Sequence, residues 1–328
     1  MIYIGYLICA IIIVWLSNKA SVYVDLLDKK TSLSGAFIGG VMLSAVTSLP
    51  ELFTSLSSTV WLDKPGLCLG NILGSNLFNL LTIAVFILIF FKGFSKAKIS
   101  KAHIKSSIII ILIYIFMMFN LQGKIPLEIA TINVVSIIII ALYIIGVKSM
   151  ASDEFQVDSD DEITDLTVKQ ISIRFTLASI GIIAVSIIIT KITDIIADEN
   201  HLNLGAGIAG ALFLGIATSL PELSSTFSLF RLKNYNIAIG NIIGSNLFNF
   251  TILSVADVFY LKSGTKGAVN GRIFDFISNA ADPKNVNLLL FGAVAMLSML
   301  AILKIKNKAL QIICPLIIIG CYVAFLVV

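Results

Sequence analysis

The sequence predicts an all-α polytopic membrane protein, with ten transmembrane helices in two inverted five-helix repeats. Hydrophobic residues make up 58% of the 328-residue chain and charged residues only 13%, whereas soluble domains average about 45–50% apolar and about 25% charged. The apolar residues form continuous runs, several of which reach the length of about 20 residues that a spanning helix needs. Two polar motifs inside these runs occur twice, in the same order, which indicates a repeat.

Ten apolar segments are expected to span the membrane. Their approximate ranges are 2–17, 35–61, 67–91, 106–120, 127–147, 171–193, 205–230, 236–260, 287–303 and 309–327. A transmembrane β-barrel would instead show alternating patterns of about ten residues. No Lys or Arg precedes Lys19, and a cleaved signal peptide starts with positive charge. We therefore interpret the first segment as a retained helix.

Polar stretches divide the chain into domains. Residues 1–147 are predicted to form the first five-helix repeat, residues 148–170 an acidic cytoplasmic connector, and residues 171–328 the second five-helix repeat. The connector holds seven acidic residues between positions 153 and 165, but it lacks the glycine and ligand spacing of an EF-hand loop. It is interpreted as a solvated linker. His103 and His201 lie near the ends of spans and are expected to face solvent or lipid headgroups.

The positions of Lys and Arg predict the orientation of the chain. With ten spans, the loops on one side carry 16 of the 23 basic residues, and the loops on the other side carry seven. The richer side is expected to be cytoplasmic, which places both termini outside. Because five spans is an odd number, the two repeats enter the membrane from opposite sides, as in many secondary transporters. The net charge of +4 is attributed to this asymmetry and not to nucleic-acid binding.

The duplicated motifs lie in the second and third spans, and again in the seventh and eighth. The first motif, Thr-Ser-Leu-Pro-Glu-Leu, begins at Thr47 and at Thr218. The second, Gly-Asn-Ile-x-Gly-Ser-Asn-Leu-Phe-Asn, begins at Gly70 and at Gly240. The copies are offset by 171 residues in the first motif and by 170 in the second. This spacing indicates an internal duplication, and we expect the two copies to build one binding site.

Helical spacing places oxygen-bearing side chains of each copy on one face of their helices. The first copy contributes Ser44, Thr47, Ser48, Glu51, Ser55, Asn71, Ser75 and Asn79, and the second contributes Thr218, Ser219, Glu222, Ser225, Thr226, Asn241, Ser245 and Asn249. Small polar residues also hold membrane helices together, so Ser and Thr alone are weak evidence. As ligands, these oxygens suit Ca²⁺ or Na⁺ and not Zn²⁺ or Cu⁺.

Glu51 and Glu222 are the strongest candidates for function. A charged side chain at the centre of a bilayer costs about 2.5–3.5 kcal/mol on insertion scales, and the motif helices contain no Lys or Arg. The remaining partners are a proton, the other glutamate through a shared proton, or a bound cation. Neutral, structural glutamates are the alternative. Two carboxylates would balance the charge of one Ca²⁺ ion.

Prolines and glycines support the same interpretation. Pro50 and Pro221 should each break their helix, because proline has no N–H and its ring clashes with a carbonyl group four residues earlier. The freed carbonyl groups are tolerated in a membrane where they line a cavity. Four glycines should let neighbouring helices approach closely. They are Gly70, Gly74, Gly240 and Gly244.

The two motifs resemble the α-repeats of the sodium/calcium exchanger family, within the cation/Ca²⁺ antiporters. The resemblance implies Ca²⁺ antiport by alternating access. It implies that Glu51 and Glu222 bind Ca²⁺, together with the carbonyl groups of Thr47 and Thr218. The Na⁺ sites that it implies comprise Ser48, Ser75, Ser219 and Ser245, with Asn79 and Asn249 completing the central ring. Some members have Asp where this chain has Asn79 or Asn249, so the centre here has two carboxylates and not three.

We therefore expect an antiporter that exchanges Ca²⁺ for Na⁺, or alternatively for H⁺, in the plasma (inner) membrane. Its expected partners are these cations and the lipid bilayer, with no bound cofactor and no nucleic acid, and a single chain suffices. A cation channel could use the same oxygens, but paired inverted halves favour a transporter. An intramembrane protease would use an Asp pair or Ser with His, and no His lies near Glu51 or Glu222 in the sequence.

Overall fold

A computed structural model of the protein describes residues 2–61, 65–121, 128–129, 132–153, 165–197, 206–262, 283–305 and 307–327. Nearly all of these residues are helical. Two short strands, β1 (Glu128–Ile129) and β2 (Ile132–Asn133), pair in an antiparallel hairpin. Within the described part of the chain, the predicted all-α class is confirmed apart from this hairpin.

The helices coincide with the apolar segments of the sequence. The first half contains α1 (Ile2–Lys30), α2 (Gly35–Phe37), the π-helix π1 (Ile38–Leu43), α3 (Ser44–Thr47), α4 (Leu49–Leu56), the π-helix π2 (Ser57–Trp61), α5 (Pro65–Ile89), α6 (Phe91–Phe94) and α7 (Lys101–Leu121). After the hairpin, the first half ends with α8 (Val134–Ala151). The second half contains α9 (Val168–Ala197), α10 (Ala206–Arg231), α11 (Tyr235–Lys262), α12 (Pro283–Lys304) and α13 (Leu310–Val327).

Eight described helices are long and apolar enough to cross a membrane. They lie in α1, α5, α7, α8, α9, α11, α12 and α13. The pair Gly35–Thr47 and Leu49–Leu56, which bends by 42°, would be a ninth if it forms one span. The helix α10 has 26 residues and coincides with the predicted seventh span, although the side chains of residues 206–217 lie outside the described part. Ten membrane crossings therefore stay a prediction.

The two copies of the proline motif differ in backbone structure. In the first copy, α3 ends at Thr47, Ser48 leaves the helical conformation with φ −91° and ψ 5°, and α4 begins at Leu49. In the second copy, α10 continues without interruption through Pro221, so the predicted break there is wrong. Local adjustments can absorb a proline in a membrane helix. In the first copy, the six π-helical residues of π1 precede the motif, a change in the hydrogen-bond register that α10 does not show.

The chain forms two compact units, and each takes segments from both halves of the sequence. The first unit comprises Met1–Pro50, Lys92–Ser100 and Met150–Ser245, and the second comprises Glu51–Phe91, Lys101–Ser149 and Asn246–Val328. In the first unit, α1, α9 and α10 pack against one another. In the second unit, α12 packs against α5, α7 and α13. The predicted repeat boundaries at residues 147 and 171 stay a prediction.

Glycines let π1 lie directly against α11 in the first unit. A Cβ atom added at Gly244 would overlap the carbonyl oxygen of Gly40, and one added at Gly39 would overlap the carbonyl oxygen of Ile237. The predicted close approach at Gly244 is therefore confirmed. At Gly74, an added Cβ would meet no heavy atom within 4 Å among the described residues, so no close approach is found there.

A polar cluster joins the end of α1 to the turn that precedes α11. The Asn234 side chain donates hydrogen bonds to Asp25 Oδ1 at 2.9 Å and to Asp28 Oδ2 at 3.1 Å. Lys29 Nζ lies 3.1 Å from Asp25 Oδ2. These contacts, all in the first unit, connect the end of α1 to the turn before α11.

The buried position of His103 contradicts the expectation that it faces solvent or headgroups. Its side chain is 0% exposed, and the neighbouring Ala102 is 3% exposed. The expectation was wrong because the face of α7 that carries Ala102 and His103 is buried, whereas Lys101 and Lys105 on another face of the same helix are exposed. His201 lies outside the described residues.

Candidate cation-binding residues

All ten residues predicted to bind cations are buried. Each is at most 3% exposed: Thr47, Ser48, Glu51, Ser75, Asn79, Thr218, Ser219, Glu222, Ser245 and Asn249. A buried polar group is costly unless hydrogen bonds or ions compensate it. Glu51, Ser75, Asn79 and Asn249 belong to the second unit, and the other six belong to the first.

In the first unit, the two copies of the proline motif meet at a carboxylate. Ser48 lies at the break between α3 and α4, and Glu222 lies on α10, directly after Pro221. The Ser48 hydroxyl donates a hydrogen bond to Glu222 Oε1 at 2.9 Å. A hydrogen bond to a charged group contributes about 1.5–3 kcal/mol. The residue at the break, Ser48, thus supplies a donor to the glutamate of the other copy.

Thr47 brings the first motif of one copy to the second motif of the other. Its hydroxyl lies 3.4 Å from Asn241 Oδ1 and 3.5 Å from Ser245 Oγ. Asn241 and Ser245 are four residues apart on α11 and therefore share one face of the helix. The structure thus collects oxygen atoms from both copies around Thr47, in agreement with the predicted polar stripes.

One hydrogen bond between the two motif-bearing helices occurs in both copies. Asn71 Nδ2 donates to Ser55 Oγ at 3.2 Å in the second unit. Asn241 Nδ2 donates to Thr226 Oγ1 at 3.1 Å in the first unit. The two asparagines are related by the 170-residue offset, and their acceptors by the 171-residue offset. Each hydrogen bond connects the helix that carries the first motif to the helix that carries the second motif of the same copy.

Four asparagines form a continuous hydrogen-bond network in the second unit. Asn79 Nδ2 donates to Asn246 Oδ1 at 3.0 Å, and Asn249 Nδ2 donates to Asn76 Oδ1 at 2.9 Å. Asn246 Nδ2 donates to the backbone oxygen of Asn76 at 3.1 Å, and Asn76 Nδ2 donates to that of Asn246 at 3.4 Å. The network therefore joins α5 to α11, with one pair of asparagines from each copy.

Three uncharged buried oxygens of the predicted site, all in the second unit, make no hydrogen bond to the described residues. Among the residues that the structure describes, Asn79 Oδ1, Asn249 Oδ1 and Ser75 Oγ have no hydrogen-bond partner. An unsatisfied buried polar atom costs about 1–3 kcal/mol. Neutral amide and hydroxyl oxygens are suitable ligands for Ca²⁺ or Na⁺. The donor chemistry of these atoms therefore fits a transported cation.

Sequence reasoning missed Asn76 and Asn246 as parts of the site. They lie one residue after Ser75 and Ser245, off the face that the i, i+4, i+8 spacing defines. Their recurrence at the same position of both copies was the signal that could have identified them.

A second omission is the carboxylate of Asp257 on α11. It is 0% exposed, and the Ser136 hydroxyl on α8 donates to its Oδ2 at 2.7 Å. The first copy has Ile87 at the equivalent position, so the duplication gives no indication of this residue. A lone acidic residue inside an apolar run is itself a signal, because such residues are costly in a membrane.

Apolar helices with buried, duplicated oxygen-bearing side chains are typical of membrane transporters for cations. The chain belongs to the sodium/calcium exchanger family, whose family model, described as "Sodium/calcium exchanger protein", matches residues 1–149 and 171–328. The resemblance noted in the two motifs is thereby confirmed. As a member of this family, the protein is a transporter and not an enzyme.

Several curated proteins are similar in sequence over most of the chain. The inner membrane protein YrbG of Escherichia coli K12 is 21% identical over 255 residues, which cover 74% of this chain and 75% of that protein. The putative antiporter CaxA of Alkalimonas amylolytica is 24% identical over 254 residues, with coverages of 77% and 78%. The sodium/calcium exchanger MaX1 of Methanosarcina acetivorans is 44% identical over 54 residues, or 16% of this chain and 15% of that protein.

Solved structures of the sodium-calcium exchanger NCX_Mj have the same fold. The structure soaked with 2.5 mM Na⁺ and 0.1 mM Sr²⁺ matches with a TM-score of 0.70 at 19% identity, covering 100% of this chain and 99% of that chain. The structure soaked with 10 mM Na⁺ and no Ca²⁺ matches with a TM-score of 0.69 at 17% identity and the same coverage. The fold extends over the whole chain although few residues are identical.

Proposed function

We propose that the protein is a secondary active antiporter that exchanges Ca²⁺ for Na⁺ by alternating access. The observation that carries this proposal is the burial of Glu51 and Glu222, each 1% exposed, inside the duplicated motifs of an exchanger-family chain. Acidic residues within membrane spans are rare and mark ion pathways. Exchange requires that one set of ligands accepts either ion, and two carboxylates can be neutralised by one Ca²⁺ or by monovalent cations.

The proposed ligands are the residues of the duplicated motifs. Glu51 and Glu222 bind Ca²⁺, together with the carbonyl groups of Thr47 and Thr218. The Na⁺ sites comprise Ser48, Ser75, Ser219 and Ser245, and Asn79 and Asn249 complete the central ring of cation ligands. Their burial supports this assignment, and so do the three uncharged oxygens of Ser75, Asn79 and Asn249 that have no hydrogen-bond partner among the described residues. Glu51 and Glu222 bind either Ca²⁺ or the counter-ions, so that the two kinds of ion exclude each other.

The proposed architecture has ten spans in two inverted repeats, with the acidic connector in the cytoplasm and both termini outside the plasma (inner) membrane. Ligands in such transporters lie at the interface of the repeats, and one group of helices rocks or slides against the other. We assign this movement to α1 and α9, the first and sixth spans, which pack together in the first unit. A single chain without a cofactor suffices for this cycle.

Uptake of ⁴⁵Ca²⁺ into proteoliposomes tests the exchange. The purified protein is reconstituted, and internal Na⁺, internal K⁺ and the pH gradient are varied one at a time. We expect uptake that requires internal Na⁺. Uptake that follows only the pH gradient would replace Na⁺ by H⁺ as the counter-ion. Uptake that is independent of every counter-ion gradient would favour a channel and contradict antiport.

Two variants test the ligands. Glu51→Gln and Glu222→Gln remove one negative charge each at nearly constant size, and both should abolish exchange. Asp165→Asn is the matched control, because Asp165 is exposed before α9, and it should transport like the wild type. Wild-type rates in either glutamine variant would refute the proposed site.

A further inference from the structure

We propose that Asn76 and Asn246 are positioning residues, which fix the direction of the Asn249 and Asn79 side-chain amides so that both ligand oxygens face the transported cation. This inference rests on the proposed function, because it takes Asn79 and Asn249 as cation ligands. All four residues lie in the second unit, where hydrogen bonds connect them in one network.

The backbone sets the direction of the first two amides. An asparagine amide has an oxygen that only accepts hydrogen bonds and an NH₂ group that only donates them. Asn246 faces the backbone oxygen of Asn76 at 3.1 Å, and Asn76 faces the backbone oxygen of Asn246 at 3.4 Å. A backbone oxygen only accepts, so each of these amides must point its NH₂ group at the backbone of the other. Their Oδ1 atoms are therefore directed elsewhere.

The directions of the Asn79 and Asn249 amides follow from those of Asn246 and Asn76. The Asn246 Oδ1 atom lies 3.0 Å from the Asn79 amide, and the Asn76 Oδ1 atom lies 2.9 Å from the Asn249 amide. Only an NH₂ group can pair with these oxygens, because a reversed amide would bring two oxygens to hydrogen-bond distance. Asn79 and Asn249 must therefore turn their own Oδ1 atoms away from the network.

Those two oxygens are the atoms that a cation needs. Asn79 is 1% exposed and Asn249 is 0% exposed, and within the described residues neither Oδ1 atom accepts a hydrogen bond. An amide that could rotate would also present its NH₂ group, which repels a cation. Locking it in one direction keeps the ligand ready before the ion arrives, which is the purpose of supporting hydrogen bonds around a binding site.

The internal duplication relates Asn76 to Asn246 and Asn79 to Asn249, so we expect the same role for the two residues of each pair. Asn76 and Asn246 are related by the 170-residue offset, and so are Asn79 and Asn249. Each positioning residue holds the ligand that belongs to the other copy. The same arrangement therefore occurs twice, once for each ligand.

The test compares the Ca²⁺ concentration dependence of Na⁺-driven ⁴⁵Ca²⁺ uptake among leucine variants, because leucine has a similar volume and no polar atom. Asn246→Leu and Asn76→Leu should raise the KM for Ca²⁺ by about five-fold or more, since one hydrogen bond is worth roughly 1 kcal/mol, with a smaller change in maximal rate per folded protein. The double variant Asn79→Leu with Asn246→Leu should be no weaker than Asn79→Leu alone, because Asn246 acts through Asn79.

Two further variants separate positioning from stability. Asn246→Asp keeps an oxygen that accepts from Asn79 Nδ2, so it should not raise the KM even if it lowers stability. Asn236→Leu is the matched control: Asn236 is a buried asparagine of α11 whose Oδ1 accepts from the Ser100 backbone N–H at 3.0 Å. It should change the amount of folded protein and leave the KM for Ca²⁺ unchanged.

The outcomes distinguish this inference from the proposed function. If Asn79→Leu raises the KM but Asn246→Leu and Asn76→Leu do not, the positioning role is overturned and the proposed ligands stand. Additive effects in the double variant would also overturn positioning. If Asn79→Leu and Asn249→Leu leave the KM unchanged, both asparagines lose their ligand role, and the inference fails with it.

Discussion

The Ser48 hydroxyl donates a 2.9 Å hydrogen bond to Glu222 Oε1, between residues 174 positions apart in sequence. The donor lies at the break between α3 and α4, and the acceptor lies on the continuous helix α10. The two copies of one motif therefore contribute unequal backbones to the same contact. The copy with the helix break supplies the hydroxyl donor, and the copy with the continuous helix supplies the carboxylate that accepts the hydrogen bond.

Removal of the Ser48 hydroxyl should weaken Ca²⁺ binding. Hydrogen bonds to charged groups are worth about 1.5–3 kcal/mol, so Ser48→Ala should raise the KM for Ca²⁺ by about ten-fold or more. Uptake of ⁴⁵Ca²⁺ by proteoliposomes measures this change. Ser224→Ala is the control, because the Ser224 hydroxyl donates to Leu220 O of its own helix at 2.7 Å. Equal KM values in the two variants would contradict a specific contribution of Ser48.

The close approach of π1 and α11 should tolerate no side chain at Gly244. A Cβ atom there would overlap the backbone of Gly40, and overpacking of this kind costs about 1–3 kcal/mol. Gly244→Ala should therefore lower the thermal unfolding temperature in detergent. Gly320→Ala on α13 is the matched control, since its Cβ would meet no heavy atom within 4 Å among the described residues. An unchanged unfolding temperature in Gly244→Ala would refute the close packing.

The Ser136–Asp257 hydrogen bond should stabilise the second unit. Ser136→Ala removes a donor from a buried carboxyl group, and we expect a loss of about 1.5–3 kcal/mol in the free energy of unfolding. Denaturation in detergent measures this loss. The control is Ser298→Ala on α12, because the Ser298 hydroxyl donates to Val294 O of its own helix at 3.0 Å. If both variants lose the same stability, the bond to Asp257 contributes nothing specific.

Asn234 should hold the end of α1 in place. In Asn234→Ala, both the 2.9 Å bond to Asp25 and the 3.1 Å bond to Asp28 are lost. Hydrogen–deuterium exchange should therefore become faster in the last turns of α1, which open locally once these contacts are gone. Helix α13, in the second unit, provides the internal reference and should exchange as in the wild type. Unchanged protection at Asp25 to Lys30 would show that Asn234 does not fasten α1.

Local properties of the sequence predicted most of the helices, and all ten candidate ligand residues are buried. Hydrophobic runs indicate helices because the bilayer leaves the backbone no other partners than its own. The motif helices carry no Lys or Arg, so the burial of Glu51 and Glu222 could be inferred from the apolar residues around them. The backbone at the two prolines could not be predicted in this way. Pro50 and Pro221 have the same local sequence, yet only the first helix breaks.

By itself, the sequence determined the class of protein, the duplication and the residue types of the site, because these depend on composition and on spacing along one helix. The tertiary structure decided which atoms meet. The donor to Glu222, the partner of Asp257 and the direction of the Asn79 amide all involve residues more than 100 positions apart. Spacing along one helix specifies a face, but a hydrogen bond needs two atoms within about 3 Å and in the right direction, which only the packing of different helices can provide.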